Sequence, residues 1–180
     1  MNYSNTETLQ PLLDRLEKSH YNVVSSLCLA ALKYADKLQE LEARNTTSQY
    51  VVLCHKLIEE IQVYINIKRE HLVPYVRSIY EKEEEGHDCK NCSGSSCSAQ
   101  HEMQLNELRQ SHKQLKDIIN RVQMVALPLY SETMYPDVYR LLRNHMALLE
   151  NSLTELSLVE ETRLIPRIIE AQKKINATDH

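Results

Sequence analysis

Apolar residues recur at steps of three and four along most of this chain, the period of amphipathic helices. Leu12, Leu13, Leu16, Val23, Val24, Leu27, Ala31 and Tyr34, with His20 among them, predict a first helix from about Leu9 to Glu42. Asn45 to Ser48 then offer an N-cap. A second stripe follows through Cys54, Leu57, Ile61, Tyr64, Ile65, Leu72 and Tyr75. It carries Lys68 and His71 on its apolar side and runs, kinked at Pro74, into the solvated run EKEEE. Leu105, Leu108, Leu115, Ile119, Val122 and Val125, joined by His112, mark a third helix that should stop before Pro128. After the connection LPLYSETMYP, a fourth starts at Pro136 or Asp137. Its inward positions are Leu141, Leu142, His145, Leu149, Leu153, Leu156 and Glu160, and it should close near Pro166 or run on to Gln172.

Four long helices with short connections predict an all-α fold, an up-and-down antiparallel four-helix bundle occupying residues 1–180 as a single domain. Two glycines in 180 residues argue against a turn-rich β fold, and with no Phe or Trp the core falls to Leu, Ile, Val and ten tyrosines. A formal net charge of −4 with interleaved signs excludes the basic field that nucleic acid or an anionic membrane surface requires. Without a long apolar run or a secretion-type start, a cytoplasmic protein is expected.

The chemistry is concentrated in the stretch Gly86 to His101, GHDCKNCSGSSCSAQH. Cys89, Cys92, Cys97 and His101, with His87 as an alternative ligand, give a C-x2-C-x4-C-x3-H spacing. A thiolate-rich closed shell of this kind suits zinc, and iron is the other candidate. An iron–sulfur cluster, a redox switch and a plain insertion with surface thiols are the competing readings of this loop. Cys28 and Cys54 fall in apolar helical stretches and read as buried thiols. His55 and Glu59 form an H-x3-E pair, but on a face turned away from Tyr64, so the match reads as accidental. Tyr130, Tyr135 and Tyr139 gather near the last connection, where packing is the simplest role.

Helices two and four echo each other: Tyr64-INI-Lys68-REHLV-Pro74 aligns without a gap on Leu156-SLV-Glu160-ETRLI-Pro166. On these residues the chain resembles the hemerythrin-like (HHE cation-binding) bundles, closest to the repair-of-iron-centres type, in which both helices carry H-x3-E followed by the proline of an L-F-P sequence. Leu72-Val73-Pro74 and Leu164-Ile165-Pro166 match the proline motif, while His20 and His112 fall at that family's histidine positions in helices one and three. The resemblance implies a di-iron centre whose H-x3-E ligands map onto Tyr64/Lys68 and Leu156/Glu160. Three of those four are replaced, one by a cation, so the centre is expected to be lost. Lys68 is then expected opposite Glu160 inside the bundle, within a residual polar site of His20, Tyr64, Lys68, His71, His112, His145 and Glu160.

No Ser/His/Asp, Walker-type or glycine-rich nucleotide motif is present, so no enzymatic activity is expected. The reading is a non-catalytic metal-binding or metal-responsive protein whose cysteine loop takes zinc or iron. An active di-iron protein handling iron, oxygen or nitric oxide is the second class. A metal-free interaction module, binding a protein partner or a second copy, is the third.

Overall fold

The structure, a computed structural model, describes residues 8–41, 45–85, 97–126 and 136–177. Among these residues there are four helices and no strand, an all-α arrangement consistent with a helical bundle. Helix α1 spans 9–41, α2 spans 45–85, α3 is Cys97–Ala126 and α4 spans 137–177. Leu, Ile and Val from all four, including fully buried Leu16, Ile61, Leu115 and Leu153, close into one apolar cluster. None of the helices is long and apolar enough to cross a membrane.

Three of the four helices contain one π turn: Glu17–Tyr21 in α1, Lys68–Leu72 in α2 and Glu160–Leu164 in α4. The widened turns are closed by i→i−5 bonds, from Asn22 N–H to Glu17 O, Val73 N–H to Lys68 O and Ile165 N–H to Glu160 O. Each inserts a residue into the 3.6 period and rotates everything beyond it by roughly 100°. In α1 the buried positions therefore step from Leu16 to Tyr21, and His20 is left half-buried.

The π turns also explain how Pro74 and Pro166 are carried without a break. A helical proline lacks the N–H that would bond the carbonyl four residues back, and its ring clashes with that carbonyl. Here that carbonyl belongs to Glu70 or Thr162, inside the π turn, where the α ladder is already interrupted. Helix α2 thus continues to Glu85 and α4 to Ala177, beyond both stops considered for it.

The start of the third helix needs correction. It begins at Cys97 and not near Leu105, so 97–101 belongs to α3 and not to a loop of 86–101. No Gly or Pro follows Gly94 until Pro128, and serines that favour N-caps precede Cys97, so nothing in the sequence delays the helix. Of the two leucines expected inside at the start of the stripe, Leu142 is buried but Leu141 is 40% exposed.

Candidate functional site

The three π turns and the middle of α3 meet around one carboxylate. Glu160 is fully buried, with Lys68 Nζ 3.1 Å from its Oε2. The Tyr64 hydroxyl donates to the same oxygen at 3.5 Å and the Tyr21 hydroxyl to Oε1 at 3.3 Å. His112 Nδ1 stands 3.8 Å from Oε2, and its Nε2 lies 3.4 Å from Ser157 Oγ and 3.5 Å from Glu161 Oε2. The Lys68 ammonium also lies over the Tyr64 ring, 5.1 Å from its centroid.

The pair is asymmetric. Burial works against an ionised Glu160, but the Lys68 charge and hydrogen bond, with the nearby His112, outweigh it and hold the carboxyl below its usual range. Lys68 has one anionic acceptor against its own burial, and burial prevails, lowering its pKa from the ordinary lysine value. Burial, reinforced by the Glu160 charge, raises both Tyr21 and Tyr64 well above the normal tyrosine range, so both hydroxyls stay protonated as donors.

The expected polar residues divide into those that meet and those that do not. Lys68, Tyr64, His112 and Glu160 come together, and His20 stands at the edge, its pKa lowered by burial against the pull of Glu155 and Glu160. His71, placed inward by the periodicity, is exposed because it lies inside a π turn. His145 is half-buried at another level, its Nδ1 2.9 Å from the Leu141 carbonyl and its ring centroid 4.8 Å from that of Tyr34. Fifteen residues of helix, roughly 20 Å, separate it from Glu160. Tyr21 is the site residue that simple periodicity missed. The five-residue gap between Leu16 and Tyr21 was the available signal.

His55 Nε2 lies 3.1 Å from Asp36 on α1, so its partner is across the helix pair and not Glu59. Cys28 and Cys54 are free and buried, and burial pushes both thiols up to about 12. His87, Cys89 and Cys92 lie outside the described residues. Cys97 and His101 fall four residues apart in the first turns of α3, and their side chains are likewise outside the description.

A di-metal centre does not fit these residues. Two divalent ions need several carboxylates to offset their charge, whereas here a single carboxylate has an ammonium at contact distance and hydroxyl donors on both oxygens. Among the described residues, no group of three or more His, Cys, Asp or Glu is placed to hold a metal ion. The chain matches no family model, no curated protein and no solved structure.

Proposed function

We propose that this chain is a hemerythrin-like, up-and-down antiparallel bundle in which a lysine has taken the place of the metal, and that it acts as a non-catalytic cytoplasmic protein. Its metal chemistry, zinc or iron, belongs to Cys89, Cys92 and Cys97 with His101 or His87. The up-and-down topology is supported by opposed residue order in neighbouring helices: Glu17 meets Arg77 and Asp36 meets His55 between α1 and α2, while Lys116 meets Glu161 and Gln123 meets Glu150 between α3 and α4. The observation that carries the reading is the Lys68–Glu160 contact, which supplies inside the protein the positive charge a metal would otherwise bring.

Elemental analysis of untagged, anaerobically purified protein tests the proposal, alongside a variant with Cys89, Cys92 and Cys97 changed to Ser. About one zinc or iron per chain, lost in the variant, is the expected result. Iron kept by the variant, with charge-transfer absorption, would overturn the lysine-for-metal reading and restore a di-iron protein. Metal absent from both would overturn the loop assignment and leave an interaction module.

A further inference from the structure

Lys68 is a primary amine that the interior ion pair does not exhaust. An ammonium carries three N–H donors, and among the described residues Glu160 is the one hydrogen-bond acceptor that Lys68 meets. Lys68 also forms part of the wall of a cavity of about 500 Å³ between α2 and α3. The buried part of that wall is Lys68, Leu72 and Tyr75, with Ser111 half-buried, whereas Glu70 and Glu107 are exposed at the mouth. Lys68 is 2% exposed, so this cavity is the route by which a small molecule reaches it.

A second cavity of about 590 Å³ continues along the same seam and shares Ile67 and Ser111 with the first. Val63, Tyr64 and Ile118 are among its walls, and it reaches back to Lys56, twelve residues before Lys68. That stretch of α2 is regular α-helix up to Ile67, so the seam runs roughly 18 Å from the amine.

The charges select among ligands. Glu70 and Glu107 at the mouth and Glu160 beside the amine disfavour an anion, and Lys68 itself disfavours a cation. A neutral molecule with an apolar chain suits the remaining surface. The group on such a molecule that a desolvated amine captures is a carbonyl.

We propose that Lys68 is a carbonyl-capture site, forming a reversible imine with a neutral aldehyde whose apolar chain lies along the seam between α2 and α3. Glu160 handles the protons. It takes one from the Lys68 ammonium, and the freed amine adds to the carbonyl carbon, forming the C–N bond. A proton passes from that nitrogen to the alkoxide oxygen, Glu160 returns its own proton to the resulting hydroxyl, and the C–O bond breaks to release water. The product is a protonated imine, so a cation still faces the Glu160 carboxylate and the buried charges stay balanced. Burial favours the free amine, lowering the Lys68 pKa against the pull of Glu160. The inference rests on the Lys68–Glu160 contact of the proposed function and not on any metal in the cysteine segment.

Decanal with cyanoborohydride, which reduces an imine to a stable secondary amine, tests the proposal on the full natural chain. At about pH 7 exposed lysines are almost wholly ammonium, and peptide mass spectrometry should find Lys68 labelled about tenfold or more faster than exposed Lys113 and Lys116. Val63→Glu sets a carboxylate in the path of the chain and should lower decanal labelling of Lys68, relative to labelling by propanal, by about tenfold. Lys68 labelled no faster than the exposed lysines overturns the proposal. So does a rate at Lys68 that is the same for both aldehydes and indifferent to Val63→Glu. The urea coupling of Lys68 to Glu160 and the metal content of the same preparation are read separately, which distinguishes a failed capture site from a failed ion pair or an absent loop metal.

Discussion

Glu160 is the side chain on which the interior polar contacts converge, and its neighbours divide the work of keeping it charged. Lys68 supplies the opposing charge, the two tyrosines supply donors, and His112 stands close by at 3.8 Å. Tyr64→Phe removes one neutral donor and leaves the ion pair, so it should cost about 1 kcal/mol in urea denaturation. A loss as large as that from removing Lys68 would mean that the hydroxyl carries the site. The acid limb of stability follows from the same groups. Folding lowers the pKa of Glu160, and also of Glu83, where burial is outweighed by Arg167 and Lys174. Both contributions are present above the unfolded carboxyl value of about 4.3 and are lost as pH falls through the lower folded values. His20 is also lowered, so the unfolded chain takes that proton first and a smaller loss begins below about pH 6.5. Urea midpoints should therefore fall in two stages on acidification. A midpoint unchanged to below about pH 4 would contradict the assignment.

The helices themselves were largely legible in the sequence, because Leu, Ile and Val recur at a clean period over long stretches. The Lys68–Glu160 pairing was legible too, from the gapless echo ending in Pro74 and Pro166, and the structure has the two at 3.1 Å. What the period could not supply was the π turns. A constant 3.6-residue register misplaces whatever lies in or beyond an inserted residue, which is why His71 was assigned inward and Tyr21 overlooked. The early start of α3 was missed for a different reason, since 97–104 lacks an apolar stripe though nothing in it breaks a helix. The prolines offer a test at this scale. In a regular helix interior Pro→Ala gains about 3 kcal/mol, but Pro166→Ala here should gain less than about 1 kcal/mol because the preceding π turn already relieves the clash. A full gain of about 3 kcal/mol would show that the turn does not accommodate the proline.

At the scale of the molecule, two ionic clusters link α2 to α4. The inner one is Lys68 with Glu160. The other joins Glu83 near the end of α2 to Arg167, whose Nη2 lies 2.7 and 2.8 Å from the two carboxylate oxygens, and to Lys174 at 3.1 Å. Beside that cluster Gln172 donates to the Tyr75 hydroxyl at 2.5 Å. Buried pairs of this kind contribute little net stability relative to apolar packing, yet they penalise any arrangement that separates the partners. The inner pair thus penalises any seating of α2 against α4 that separates Lys68 from Glu160. That penalty is energetic, and a double-mutant cycle in urea reaches it most directly. Lys68→Met alone should cost about 3–5 kcal/mol by stranding a buried carboxylate, while Lys68→Met with Glu160→Leu should recover most of that loss. A double variant as unstable as the single one would show that the two side chains do not act as a pair.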